Sequence, residues 1–300
     1  MCNNDEPRGK RAIIYVVFGI IVLIMLMGFL IQGNDVALLN PKDVIAGEQR
    51  ELMIITLLLL LEIAIPTLVL FFYTAWKYRE SNEKVVYSPH NRHSKGLVFS
   101  IWAAPTVVML LLASVMWPAT HRLAPQKALE SGTKTLKIQV IALPWKWLFI
   151  YPEQHIASIN YIELPVNTPV QFIISADETP MSSFWIPHLG GQIYAMTGHV
   201  NQLNLMATTE GKYAGSTAEI NGSGFAGMRF ITKVGSYQDF DQWVNSVKDT
   251  PSVLDAVEYQ KILKPSEYNK PAFYSQAEPD IYTTLLTKYA GTHYHNTEAK

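Results

Sequence analysis

Three stretches of the chain are apolar almost without interruption: residues 12–31 carry no charge, residues 52–76 carry only Glu62, and residues 97–117 again carry none. A helix needs about 20 such residues to cross the hydrocarbon core of a bilayer, so each run predicts a membrane-crossing helix. Tyr73, Trp76 and Tyr78 at one end of the second run, and Trp117 at the end of the third, suit the aromatic belt of a membrane interface. Pro66 and Pro105 predict kinks packed against other protein, because the backbone groups they free need partners in lipid. After Trp117 the pattern shortens. Residues 136–142, 159–164, 170–175, 200–207 and 228–234 are brief β-prone runs separated by Pro, Asn, Gly and Asp, the texture of a sandwich or barrel. From Tyr237 apolar residues recur at helical intervals, in Phe240, Trp243, Val244 and Val247, with Asp239 placed to cap the start.

These patterns divide the chain into an N-terminal helix (1–33), a helical hairpin (34–118, helices about 52–76 and 97–117), an external β domain (119–235) and a helical, aromatic-rich extension (236–300). Lys77, Arg79, Lys84, Arg92 and Lys95 crowd the loop between the second and third runs, and Arg8, Lys10 and Arg11 precede the first. The positive-inside rule therefore places the N-terminus and the 77–96 loop in the cytoplasm and residues 119–300 outside. The first run admits two readings, a retained helix or a signal peptide cleaved near Gly33. Its length and the poor Ile31-Gln32-Gly33 site favour retention. Glu62 also admits two: an element of a proton path, or a protonated carboxyl bonded to a neighbouring helix. The second is favoured, because nothing else in these helices continues a relay.

Composition narrows the function. Only 16% of residues are charged while 49% are hydrophobic, and a net charge of −1 offers no footprint for nucleic acid. The single cysteine, Cys2, excludes an internal disulfide and any CxxC or zinc-finger arrangement. Six histidines fall in the external part, His121, His155, His188, His199, His293 and His295, none with a metal-ligand partner at a persuasive spacing. No phosphate loop or nucleophile elbow is present. No residue is expected to be catalytic or to bind a cofactor or metal.

More specific is the run Trp145-Lys146-Trp147-Leu148-Phe149-Ile150-Tyr151-Pro152 opening the β domain behind a helical hairpin. From about residue 38 onward, including Trp76-Lys77-Tyr78-Arg79 and Phe240-Asp241-Gln242-Trp243, the chain resembles subunit II of the haem–copper terminal oxidases. The resemblance implies a cupredoxin-like external domain, which in that family often holds a two-copper centre on an upstream His and a loop reading Cys-x-Glu-x-Cys-x-x-x-His-x-x-Met. Gly215, Glu219, Gly222 and Met228 set the register of that loop here. Thr217 and Asn221 then stand at the cysteine positions, Phe225 at the histidine, and Ser182 at the upstream His. Glu219 and Met228 alone remain. Copper of this kind depends on thiolate and imidazole ligands, which Thr, Asn, Phe and Ser do not supply.

Loss of the ligands with the frame kept is similar to the quinol-oxidase branch, the cytochrome bo type, which the Phe184–Met196 stretch also resembles. The resemblance implies a structural and assembly subunit, binding no cofactor itself, in a proton-pumping complex of the bacterial inner membrane. Haems and the remaining copper are expected in subunit I, ubiquinol is the substrate of the complex, and subunits III and IV and membrane lipids are the other partners. Trp145, Trp147 and Tyr151 are expected under the altered loop and against subunit I, or alternatively in the barrel core. Glu62 is a further interface candidate. Two positions depart from the family: Asn34 and Asp35 stand where a lipid-bearing cysteine is usual, and Val98 stands where a carboxylate associated with proton entry is often found. A membrane-tethered binding or assembly module outside any oxidase is the alternative function.

Overall fold

The computed structural model describes residues 35–80, 82, 83, 85, 94–129 and 131–289, with a few positions between 18 and 29. The fate of the 12–31 run, its cleavage near Gly33, and His90, His93, His293 and His295 lie outside the described residues. Helix α1 spans Val44–Lys77 and α2 spans Lys95–Arg122, each longer than its apolar run. At about 1.5 Å per residue, the 34 residues of α1 reach about 50 Å, well beyond the hydrocarbon core. Its first turns therefore serve another purpose, docking onto the β domain. The two helices pack as a hairpin, tied where α1 begins and α2 ends by Glu48 and the Arg122 guanidinium at 2.7 Å. Within these two helices only Ala46, Val108 and Ala119 are buried. Two helices cannot cover each other's apolar surface, so the rest needs lipid or another protein.

The β domain is a two-sheet sandwich. Its strands are β1 (Leu136–Leu143), β2 (Lys146–Tyr151), β3 (Ile156–Ile159), β4 (Tyr161–Pro165), β5 (Val170–Ala176), β6 (Ser182–Ile186), β7 (Gly190–Ala195), β8 (Asn201–Leu205), β9 (Gly211–Thr217) and β10 (Arg229–Gly235). After them come α3 (Tyr237–Lys248), β11 (Val253–Leu254), α4 (Ala256–Ile262), β12 (Ala272–Tyr274), β13 (Gln276–Ala277) and α5 (Ile281–Lys288). One sheet runs β12-β3-β2-β1-β5-β8 and the other β4-β10-β9-β6-β7, while β11 and β13 form a separate pair. The parallel pairings β1–β5 and β4–β10 break what would otherwise be a simple meander. Between the sheets lies an aromatic core of Trp147, Phe149, Phe172, Phe184 and Phe230. Phe184 and Phe230 stack at 5.2 Å with only 6° between their planes.

Several elements differ from the sequence expectation, each for a physical reason. Every residue of β2 is buried, because α4 and α5 cover the outer face of its sheet with a second core around Ile141, Leu143, Leu148 and Ile150. A strand buried on both faces loses its alternation, so periodicity does not reveal it. The strands β6, β7 and β9 are similarly unforeseen, being short and rich in Ser and Gly. Ser236, not Asp239, caps α3: the Ser236 hydroxyl accepts from the Asp239 amide and the Asp239 carboxylate accepts from the Ser236 amide, a capping box. The extension after residue 235 also contributes to the sandwich. Its strand β12 adds to the first sheet beside β3. The buried Lys146 ammonium donates to the carbonyls of Ile262 and Lys264, both at 2.8 Å.

Candidate functional site

The loop between β9 and β10 folds back on itself through a short 3-10 turn, Ser223–Gly227. It brings together four of the positions singled out in the sequence. Asn221 is the hub: its Nδ2 donates to Ser182 Oγ at 2.8 Å and lies 3.1 Å from Met228 Sδ. Thr217 Oγ1 accepts from the Ser183 amide at 3.1 Å, and the Thr217 amide donates to the Met228 carbonyl at 3.2 Å. Ser182, Thr217, Asn221 and Met228 are all buried. Phe225 is half-buried on the turn, its amide bonded to the Gly222 carbonyl. Glu219 is half-buried and meets the cluster through its carbonyl, which lies 3.4 Å from Thr217 Oγ1.

Trp145 closes the site from the side. It occupies the tight β1–β2 turn at φ 59°, a left-handed conformation unusual for a bulky residue, and its indole N–H donates to the Asn221 carbonyl at 3.3 Å. Gly222 and Gly224 lie flat against the indole; a Cβ on Gly224 would come within 2.2 Å of the ring. Glycine is thus required there for close approach. The residues converge, but their chemistry does not fit a dinuclear copper centre. Hydroxyl and amide groups are hard donors, Asn221 Nδ2 is committed to Ser182 Oγ and Met228 Sδ, Phe225 has no donor atom, and Met228 supplies the one soft atom of the set.

The other expected site residues separate. Trp147 and Tyr151 are completely buried in the sandwich, which corrects their reading as interface residues: they have no surface to offer a partner. Trp147 packs edge-on to Phe184 at 5.4 Å, and the Tyr151 phenol donates to the Glu163 carbonyl at 3.1 Å. Trp145, partly exposed, keeps a face at the surface. Glu62 is exposed in the middle of α1, and no hydrogen bond from α2 reaches it among the described residues. Val98 is exposed on the first turns of α2.

Three buried carboxylates went unforeseen, and each joins parts of the chain. Asp43 caps α1 and accepts from the amides of Ile45 at 2.6 Å and Met206 at 2.5 Å, fastening the membrane helix to the strand end after β8. Burial without a facing cation pushes its carboxyl up to about 7. Gly190, at φ 76°, lets α1 approach so closely that a Cβ there would meet Ala46 at 3.1 Å. Asp177, at the end of β5, accepts from Tyr259 and Tyr289 phenols and the Lys288 ammonium of the extension, at 2.8, 2.7 and 2.9 Å. Glu163 on β4 accepts from Lys233 at 2.6 Å and the Tyr161 phenol at 2.8 Å. An isolated acidic residue beside a strand reads as a turn signal in sequence; its burial follows only from donors far along the chain.

A cupredoxin-like sandwich on a membrane hairpin, with the loop geometry above, defines the class of haem–copper oxidase subunit II. Residues 135–234 match the family of the cytochrome c oxidase subunit II periplasmic domain, and residues 248–293 match the aromatic-rich motif of the same oxidases. Among named relatives, the cytochrome bo(3) ubiquinol oxidase subunit 2 of Pseudomonas putida is 42% identical over 91% of this chain and 86% of its own length. The ubiquinol oxidase subunit 2 of Acetobacter aceti is 40% identical over 87% and 85%. The quinol oxidase subunit 2 of Bacillus cereus is 33% identical over 81% and 83%. The chain belongs to the ubiquinol oxidase subunit 2 family. With α1 and α2 both long and apolar enough to cross a bilayer, it is an inner-membrane protein of an oxidase complex.

Proposed function

We propose that the chain is the non-catalytic subunit II of a proton-pumping ubiquinol oxidase and carries no copper centre of its own. The observation that carries this reading is the Asn221 cluster. In the register set by Gly215, Glu219, Gly222 and Met228, three residues at the ligand positions contact one another, the Asn221 amide donating to Ser182 Oγ with Met228 Sδ beside it, and this supports a loop that holds itself together without a metal. A relay for electrons from a water-soluble donor is therefore absent from this chain. Electrons pass instead from quinol to oxygen through subunit I, which holds the haems and copper. Ubiquinol reaches that subunit within the membrane.

The work of this chain is mechanical. The apolar flanks of α1 and α2, left open by the hairpin, dock on subunit I, with subunits III and IV and lipid completing the surround. Asp43 and Gly190 fix α1 to the sandwich, so that the external domain stands rigidly over the hairpin on the periplasmic side. The loop 77–96 faces the cytoplasm. Glu62 meets a polar group of a neighbouring subunit, and Trp145 offers its exposed face to one. The test is oxygen uptake by the purified complex with ubiquinol or reduced cytochrome c as donor, alongside the copper content of the separated full-length chain. Uptake with quinol alone and no copper in the chain supports the reading. Uptake with cytochrome c overturns it, and a chain that co-purifies with no haem protein belongs to a tethered binding module.

A further inference from the structure

Beside the aromatic core, and away from the Asn221 cluster, three oxidisable rings touch in series. Tyr151 lies 5.2 Å from Trp243, and Trp243 lies 5.9 Å from Tyr161, centroid to centroid. Tyr151 is buried, whereas Trp243 and Tyr161 both reach the surface in part. Such contacts allow an electron vacancy to move from ring to ring. Where it comes to rest depends on protons, because a phenol forms a neutral radical only by giving up its O–H proton.

The three rings differ in that respect. The Tyr151 phenol donates to a backbone carbonyl, the Glu163 oxygen at 3.1 Å, which is too weak a base to accept a proton. Trp243 makes no hydrogen bond to a carboxylate among the described residues. Tyr161 donates at 2.8 Å to Glu163 Oε2, a carboxylate whose other oxygen is held by the Lys233 ammonium at 2.6 Å. Glu163 is 1% exposed, so water does not compete for the proton. We propose that Tyr151, Trp243 and Tyr161 form a short relay that intercepts one-electron oxidants and carries the oxidising equivalent to Tyr161, where Glu163 takes the phenolic proton.

The step balances. A one-electron oxidant, such as a peroxyl or carbonate radical, gains one electron. The Tyr161 O–H bond breaks and a new O–H bond forms on Glu163 Oε2, leaving a neutral tyrosyl radical, a neutral carboxylic acid and the Lys233 charge. That unbalanced cation favours return of the proton once an electron is restored. The inference does not rest on the role proposed for the copper loop.

The experiment uses the full-length chain in detergent micelles, with tris(bipyridyl)ruthenium(III) generated by light and persulfate as the oxidant. Freeze-quench electron paramagnetic resonance reads the tyrosyl radical. Tyr161→Phe should abolish the long-lived signal, Glu163→Gln should shorten its life with Tyr161 still present, and Trp243→Phe should slow its appearance. Two controls should leave it intact: Tyr237→Phe, which removes a more exposed phenol, and Tyr259→Phe, which removes a phenol bonded to Asp177 outside this chain of rings. Unchanged thermal melting of Tyr161→Phe guards against misfolding. A signal that survives Tyr161→Phe, or that disappears with either control instead, overturns the proposal.

Discussion

Replacing Asp177 with alanine should free the C-terminal helices while leaving the sandwich folded. The Asp177 carboxylate is 1% exposed and gathers three donors, the Tyr259 phenol of α4, Lys288 at the end of α5 and Tyr289 just beyond it. On its own side it is fixed by its amide, which donates to the Ala142 carbonyl at 2.9 Å. Removing one partner of a buried ion pair costs about 3–5 kcal/mol. The low end applies, since the Lys288 side chain is 40% exposed and retains Glu178 at 2.7 Å. Hydrogen bonds to a charged group are worth about 1.5–3 kcal/mol each. Tyr259 is buried and feels that loss, while half-buried Tyr289 recovers part of it from water. A net loss of about 3 kcal/mol follows for the docking of α4 and α5, and at about 1.4 kcal/mol per factor of ten this is about a hundredfold. Hydrogen exchange of the full-length chain, followed by mass spectrometry, reads it directly as faster exchange across residues 281–288, with β1 and β2 unchanged. Asp177→Asn, which keeps one acceptor oxygen, should fall between. Equal protection of α5 in wild type and Asp177→Ala would refute the reasoning; so would equal loosening of the sandwich, because the carboxylate would then be holding something other than the extension.

Other outcomes follow from the same geometry. Because the Asp43 carboxyl sits near 7 in the fold against 3.8 ordinarily, the folded state binds its proton more tightly than the unfolded chain does. Stability contributed at this junction is full below about pH 4 and falls as pH rises to about 7, by at most about 1.4 kcal/mol per pH unit. Denaturant titrations across that range should show a slope that Asp43→Asn removes. Asn221→Leu, which cannot donate to Ser182 Oγ, should cost about 1–3 kcal/mol, read as a lower denaturation midpoint with unchanged slope. If the midpoint does not move, Asn221 is not the hub of the loop. Trp147→Ala empties the middle of the core and should cost about 3–5 kcal/mol, lowering the yield of assembled complex without shifting the haem spectrum. A shifted spectrum at normal yield would contradict a purely structural role for Trp147.

What the linear chain determines here is whatever depends on unbroken local pattern. Runs of apolar residues long enough for a bilayer specify α1 and α2, because in lipid only a helix satisfies its own backbone. The β-prone runs that become β1, β5 and β8 and the 3.6-residue period of α3 are legible for the same reason. So is the chemistry of the loop residues: Thr217, Asn221, Phe225 and Ser182 supply neither thiolate nor imidazole, since donor type belongs to the side chain. Only the tertiary structure decided matters that require two distant segments at once. β2 is buried on both faces because α4 and α5 cover it, and Trp147 and Tyr151 are core rather than surface because two sheets close over them. Asp43, Glu163 and Asp177 are buried because their donors arrive from elsewhere: Met206, Lys233 and Lys288 lie 163, 70 and 111 residues away. A lone carboxylate in a sequence is solvated by default, and burying it becomes tolerable only when such donors meet it in space.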